Sequence, residues 1–295
     1  MQSITPGPPA TTPEVAMPPR RMPLLRRGRP LKRWRYVGIF GEELMACAAL
    51  VQVGPARQSF WALYRRDADE LRERTRLLPQ RGALRLEAGA GVRAGGAGAS
   101  AARTGRLRID DGGVALDVAL AEEDGFSACC PHGRGEVWTR KQAGVDARGT
   151  LALDGREPAP FSAHAVIDDT AGYHARRTEW WWSAGVGRSI DGRAVAWNLV
   201  SGVNDPPSGS ERAVWLDGRP HEAPPVRFTD DLRAISSTDG ATLRFRAEAE
   251  RTRRDDFVIF KSDYRAPFGA FYGELPGGVE LAHGLGVVEH HRALW

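Results

Sequence analysis

The chain has 295 residues, 42% hydrophobic and 26% charged, with a formal net charge of +4 at pH 7. That length buries one large or two medium cores, and two is the expected number. The charge is unevenly placed: residues 1–35 hold eight basic side chains against Glu14 alone, a net of +7, leaving −3 for the remainder, which excludes a body that grips a phosphate backbone along a groove.

Residues 1–30 read as a disordered, basic, Pro-rich leader. They lack the apolar core of a secretory signal, and nothing downstream offers about 18 continuous apolar residues. The expected protein is therefore soluble and cytoplasmic, without an integral membrane segment. The basic run from Arg20 to Arg35 has two readings: a solvated leader, or a tether to anionic membrane or nucleic acid. Three cysteines are an odd number, and a disulfide between adjacent Cys129 and Cys130 would be strained, so reduced thiols are expected. Without a CxxC pair or His at finger spacing, no metal is expected.

The first unit is expected over residues 31–148. WRYVGIFG, ELMACAALVQVG and QSFWALYRR are short apolar and aromatic runs broken by Gly41–Glu42 and Gly54–Pro55, which reads as consecutive antiparallel strands. Leu71 to Leu78 fits a strand or a short helix. Gly82 to Ala102 is rich in Gly and Ala and reads as a long loop. RLRID and VALDVALAE flank an Asp-Asp-Gly-Gly turn and form a hairpin. EVWTRKQAGVDARGTLALDGREPAPF is the expected crossover, with the cut near Arg148.

The second unit, 149–295, turns at Asp191–Gly192, Asp217–Gly218 and Asp239–Gly240. Turns recur about every ten residues, the spacing of a sandwich or barrel. No apolar stripe of helical period is sustained outside Asp67 to Arg76, so the chain is expected to be all-β.

Alternation along each strand sorts the candidate site residues. In TEWWWSAGVG, Thr178, Trp180 and Trp182 share one face and Glu179 and Trp181 the other, so both faces are covered. In RAVAWNLVSGV, Val195, Trp197 and Leu199 oppose Ala196, Asn198 and Val200. Asn198 is then a candidate cavity amide, the alternative being an amide that satisfies a neighbouring strand. DFVIFKSDY divides into Phe257, Ile259, Lys261, Asp263 and into Val258, Phe260, Ser262, Tyr264, and both sets run from apolar to polar, as at a barrel rim. Lys261 is one of three lysines, with Lys32 and Lys141, in a chain that otherwise uses Arg. Its alternative role is a rim lysine paired with Asp263. In GLGVVEHHRALW the two histidines point apart, and Glu289 and His291 share a face as a candidate proton-transfer pair, the carboxylate raising the imidazole pKa. Trp180, Trp182, Trp197, Asn198, Lys261, Asp263 and Tyr264 are the candidate ligand-binding residues, Glu289 and His291 the candidate catalytic ones.

Dinucleotide, Walker, zincin and nucleophile-elbow motifs are all missing, so no cofactor is expected. WTRKQAGV, DDTAGYHARRTEWWWSAGVG, WNLVSGVNDPPSGSERAVWLDG, SDYRAPFGAFYGELPGG and GLGVVEHHRALW, in that order, resemble the bacterial domain-of-unknown-function family 2804 (DUF2804), from RRGRPLKRWRYVG to the carboxyl terminus. The resemblance implies two lipocalin-like antiparallel β-barrels or strongly curved sheets packed together, distantly similar to carotenoid hydratases, tocopherol cyclase and fungal cyclases of Diels–Alder type. It carries no catalytic residue over. The expected partner is an apolar small molecule, lipid-, terpenoid- or polyketide-like, in an aromatic-lined barrel pocket. The protein either binds it or acts on it as a non-redox isomerase, cyclase or hydratase. No nucleic acid partner is expected, and the oligomeric state is not legible.

Overall fold

Alternation governs the chain: Val114–Glu122 buries every second residue, and the Gly112–Gly113 turn before it, with both φ values positive, lets the strand fold back on its neighbour. The computed structural model describes residues 22–89, 103–256 and 261–294. A small hairpin of β1 (Leu25–Arg26) and β2 (Arg29–Pro30) precedes the first sheet. That sheet comprises β3 (Lys32–Phe40), β4 (Leu44–Val53), β5 (Ala56–Arg65), β6 (Glu70–Arg76), β7 (Leu84–Glu87), β8 (Arg103–Asp111), β9 (Val114–Glu122), β10 (Phe126–His132), β11 (Gly135–Leu153) and β12 (Ala159–Gly172). The second comprises β13 (Arg177–Ser189), β14 (Ala194–Ser201), β15 (Ala213–Leu216), β16 (Arg219–Glu222), β17 (Val226–Phe228), β18 (Ala234–Ser237), β19 (Thr242–Asp256), β20 (Lys261–Leu275) and β21 (Val279–Leu294).

The two sheets repeat one topology. Four strands meander outward, the chain crosses to the far edge, and the last strand returns beside the first, β12 on β3 and β21 on β13. All pairings are antiparallel, and no helix occurs among the described residues. The fold is all-β, built of two strongly curved sheets.

Each sheet wraps its own core, around Ile39, Leu63 and Leu107 in the first and Trp197, Phe245 and Phe271 in the second. A third core lies between them, where Tyr36, Phe40, Met45 and Val166 of the first sheet meet Trp182, Val200 and Phe268 of the second. Strands that serve two cores lose the polar face of an ordinary antiparallel sheet. Val37 and Ile39 turn into the first sheet's own core while Tyr36 and Phe40 on the same strand face the other sheet. At roughly 1.5–3 kcal/mol for each large apolar side chain fully buried, this shared layer holds the two sheets together.

Several expectations meet this architecture differently. The cut at Arg148 falls inside β11, a single strand of the first sheet, and the sheets divide between Gly172 and Arg177. The turn at 154–158, within the expected crossover, joins β11 to β12. Leu71 to Leu78 contributes strand β6 rather than a helix. Most of the expected leader, 1–21, and the stretch 90–102 lie outside the described residues, as do Phe257, Val258, Ile259 and Phe260. The part of the leader that is described is built into the fold. Leu25 to Pro30 forms the hairpin and Arg29 donates to the His174 carbonyl. Just beyond it, Lys32 is buried and Arg35 is ion-paired with Glu122 and Asp169. No helix among the described residues is long and apolar enough to cross a membrane. All three cysteines are free thiols, and no cluster of three metal-ligating side chains occurs among the described residues.

Candidate functional site

A cavity of about 170 Å³ sits between the two sheets, not inside either one. Strands β3, β4, β5, β11 and β12 form one wall and β13, β14, β19, β20 and β21 the other; the 173–176 connector and the 202–212 loop complete it. Its aromatic surface is Trp34, Tyr36, Phe60, Trp180, Trp182 and Tyr264. Tyr36 meets Trp182 edge-on across the gap, ring centroids 5.3 Å apart.

Glu289 places a carboxyl group on this wall. The β13–β21 register sets Trp182 opposite Glu289 and Trp180 opposite His291, and both pairs face the first sheet. Trp180 donates Nε1–H to Glu289 Oε1 at 2.7 Å, and Tyr264 is a further hydrogen-bond partner. Burial pushes the Glu289 carboxyl up to about 7, opposed by those two hydrogen bonds and reinforced by the nearby charge of Asp168. The same burial, with Glu289 adding to it, holds the Tyr264 phenol well above its usual value.

His291 stands beside Trp180 with ring centroids 4.3 Å apart and shares a 2.8 Å hydrogen bond with the Ser262 hydroxyl. Burial, then the neighbouring His290, Lys32 and Arg251, lower its pKa to about 3. The expected raising of the imidazole by the carboxylate is therefore reversed. Desolvation dominates both groups and drives each towards its neutral form, an acid at Glu289 and a free base at His291.

A buried ion triad forms another part of the wall. Lys141 Nζ lies 2.8 Å from Asp168 and 3.2 Å from Glu211. Asp168 also accepts from Trp34 Nε1 at 3.0 Å and from the Thr170 hydroxyl at 2.8 Å, while Asn204 donates to Glu211 at 2.8 Å. Burial pulls Lys141 down, but the two carboxylates outweigh it and its pKa ends above the usual value. Burial raises Glu211, against the pull of Lys141. On β19, Arg251 is buried with its guanidinium 4.3 Å from the Phe60 centroid and 4.9 Å from that of Tyr264.

The structure brings Trp180, Trp182, Tyr264, Glu289 and His291 to this cavity. Trp197 goes elsewhere: fully buried in the second sheet's own core, it donates to Ser183 at 3.0 Å. Its parity matched Val195 and Leu199, and that face looks away from the other sheet. Asn198 faces the inter-sheet layer as an amide bonded to the protein through both its nitrogen and its oxygen, donating to the Glu211 carbonyl and accepting from Trp182 Nε1, both at 2.8 Å. It braces two cavity residues. Lys261 and Asp263 alternate out of the cavity on β20 and are exposed, and Lys261 pairs with Asp256 rather than Asp263. Their neighbours Ser262 and Tyr264 take the inward positions.

Lys32, Lys141, Asp168, His174, Glu211 and Arg251 were not singled out from the sequence as site residues. A signal for two of them was present: of the three lysines, Lys32 and Lys141 line the cavity and Lys261 does not.

The family model described as Domain of unknown function (DUF2804) matches residues 19–295. Kievitone hydratase from Nectria haematococca is 10% identical, with 97% of this chain and 95% of that chain covered and a TM-score of 0.54. A protein described as an AttH from Nitrosomonas europaea is 15% identical over 89% of this chain and 92% of its own, with a TM-score of 0.47. The structure of CghA is 8% identical over 89% of this chain and 87% of its own, at a TM-score of 0.45. No curated protein matches the sequence. The similarity to kievitone hydratase is one of fold.

Proposed function

We propose, for a chain that belongs to the DUF2804 family, that the inter-sheet cavity binds a compact, largely apolar molecule and that Glu289 exchanges a proton with it. One observation carries this reading: a buried carboxyl group, fixed by Trp180 at 2.7 Å, opens onto a cavity walled by indole, phenol and phenyl rings. A carboxyl poised near neutrality both donates and accepts a proton at working pH, and a wall of rings orders an apolar substrate against it. Hydration, dehydration or isomerisation of such a molecule needs that proton transfer. Neutral His291, held by Ser262, would accept or donate a hydrogen bond to a substrate oxygen or a bound water beside Glu289. A hydratase name on a protein of the same fold agrees with this chemistry, but the proposal stands on the cavity.

The volume narrows the ligand. A cavity of about 170 Å³ lies below the roughly 300–1,000 Å³ of drug-sized sites and close to the ~150 Å³ apolar cavity that takes benzene. One ring with a short chain fits it better than an extended lipid.

The test is native mass spectrometry of gently purified protein to identify retained ligand, followed by incubation of that ligand with the wild type, Glu289→Gln and His291→Ala. Conversion by the wild type that falls at least 100-fold in Glu289→Gln supports the proposal. Equal turnover in all three removes Glu289 from the chemistry, and ligand retained but unconverted by the wild type makes the protein a carrier.

A further inference from the structure

Among the described residues six large apolar side chains stand exposed: Leu24, Leu25, Leu77, Leu78, Ile190 and Tyr272. Exposed apolar residues scattered singly are ordinary, whereas a group of them marks a contact surface. Ile190 and Tyr272 are in the second sheet's part of the chain. The four leucines come together at one end of the first sheet.

Three segments meet at that end. The β1–β2 hairpin sits on the β4–β5 turn: Gly54 donates its backbone N–H to the Leu31 carbonyl at 2.7 Å, and Leu31 donates to that of Leu24 at 2.9 Å. The β5–β6 ladder ends at the Ser59–Arg76 pair, so the chain leaves β6 into Leu77 and Leu78 beside the same turn. It then stays there, since Pro79 and Arg81 share one surface depression with Gln52 and Arg57. Leu25 is 64% and Leu78 87% exposed.

The charge of this end has one sign. Residues 22–30, 52–58 and 77–82 hold Arg26, Arg27, Arg29, Arg57 and Arg81 and no Asp or Glu. Other elements bring acids near it: Asp255 is ion-paired with Arg253, Asp205 accepts from the Gly202 N–H, and Glu136 shares a depression with Arg26, Arg29 and Arg134. At the tip of the hairpin Arg27 takes a φ of 49°, a position that suits Asn or Gly, so charge is carried there at a conformational cost.

The cavity opens at this end too. β4 is buried from Leu44 to Ala49 and half-buried from Leu50 to Val53, and Val53 and Gln58, on either side of the β4–β5 turn, line the cavity. A nucleic acid backbone would engage the arginines and leave the leucines in water. An anionic bilayer surface takes both, phosphates on the guanidinium groups and leucines in the boundary between headgroups and acyl chains.

We propose that this end of the first sheet docks on an anionic phospholipid bilayer and turns the cavity mouth to the lipid. The docking surface stands on its own observations; only the further step, that the cavity takes its ligand from the bilayer, rests on the reading of the cavity as a ligand site.

The experiment is co-sedimentation of the full-length protein with vesicles of phosphatidylcholine alone and of an equal mixture with phosphatidylglycerol, at physiological ionic strength. The mixed vesicles should bind about tenfold more tightly or better. Changing all four leucines to Ser should lower that affinity about tenfold. Arg27→Asn with Arg57→Gln should lower it about fivefold or more; Asn suits the positive φ of the turn, and both side chains are exposed, so an unchanged thermal midpoint shows the fold intact. Ile190→Ser with Tyr272→Ser should leave binding unchanged. Equal binding to both vesicles, or binding untouched by the leucine substitutions, overturns the proposal and leaves the Glu289 reading standing. Binding of duplex DNA as tight as that of the mixed vesicles, insensitive to the leucines, would overturn it in favour of nucleic acid.

Discussion

Trp180 donates its indole N–H to Glu289 at 2.7 Å and lays the same ring against His291, centroids 4.3 Å apart. One side chain therefore sets the hydrogen bonding of the acid and the packing of the base. A bond to the charged carboxylate favours ionisation, so Trp180 holds the Glu289 pKa below the level burial alone would give. Trp180→Phe keeps much of the ring and removes the donor. The Glu289 pKa should then rise above about 7, by about one unit if the bond is worth about 1.4 kcal/mol. A carboxyl-carbon NMR titration of labelled protein measures it, and an unchanged or lower pKa would remove this role from Trp180.

Glu289 also sets a pH dependence of stability. Its folded pKa is about 7 against an ordinary 4.5, so between those values the native state binds more protons than the unfolded chain. Its contribution is then fully present below about 4.5 and is lost as pH rises towards 7. His291 works in the opposite sense, its folded pKa of about 3 lying below the ordinary 6.5, so its contribution grows as pH rises through that window. Comparing the wild type with Glu289→Gln isolates the first effect. Relative to the wild type, the variant should gain about 3 kcal/mol between pH 4.5 and pH 8, read from urea midpoints. A constant difference between the two proteins across that range would contradict the raised pKa.

Lys141 lies between Asp168 and Glu211, at 2.8 and 3.2 Å. Lys141→Met leaves two carboxylates in the inter-sheet layer without it, and breaking a buried pair in this way costs about 3–5 kcal/mol. Glu211, already raised by burial, is the group that takes up a proton in response. The loss should consequently be larger at pH 8 than at pH 5, and adding Glu211→Gln should recover part of it. Chemical denaturation of the single and double variants at both pH values checks this; a loss independent of pH would mean that the triad contributes packing rather than charge balance.

Strand parity made the second sheet's faces legible because its rule is geometric. Trp180 and Trp182 share a face, as do Glu289 and His291, and Asn198 opposes Trp197, as alternation requires. What parity leaves open is which face meets the other sheet, and Trp197 was assigned to the ligand on that point. Lys261 and Asp263 were misplaced for a related reason: the rim gradient of β20 was read on both faces, and only Ser262 and Tyr264 turn inward. For the first sheet's share of the site, the scarcity of lysine points to Lys32 and Lys141, and nothing in the sequence points to the rest. Lys141 and Asp168 are adjacent only through the β11–β12 register, and Glu211 reaches them from a loop of the other sheet. No local pattern encodes a contact made across two sheets. The placement of the cavity at the junction, rather than within a barrel, follows from the same pairing and was equally hidden.

The second sheet's core makes one sharp mechanical demand, at Gly185. A Cβ there would fall 2.2 Å from the Trp197 ring and 2.6 Å from the Leu285 carbonyl, and its partner across the strand pair is also a glycine, Gly286. The indole lies on the bare backbone of β13, so the strand and Trp197 approach more closely than any side chain permits. Gly185→Ala must displace either the ring or the β13–β21 pairing. Overpacking of this kind costs about 1–3 kcal/mol or more, and here the strain is passed along β13 to Trp182 and Trp180, three and five residues away. The variant should lose stability by at least that amount and also loosen the Trp180–Glu289 hydrogen bond, visible as an upward shift of the Glu289 pKa. Gly185→Ala combined with Trp197→Phe removes the clashing part of the ring but leaves the Leu285 carbonyl 2.6 Å from the new Cβ, so it should restore part of the stability and bring the Glu289 pKa back towards about 7. Full stability in the single variant would show that the ring can move aside freely, and the close approach of Trp197 to β13 would then not fix the cavity wall.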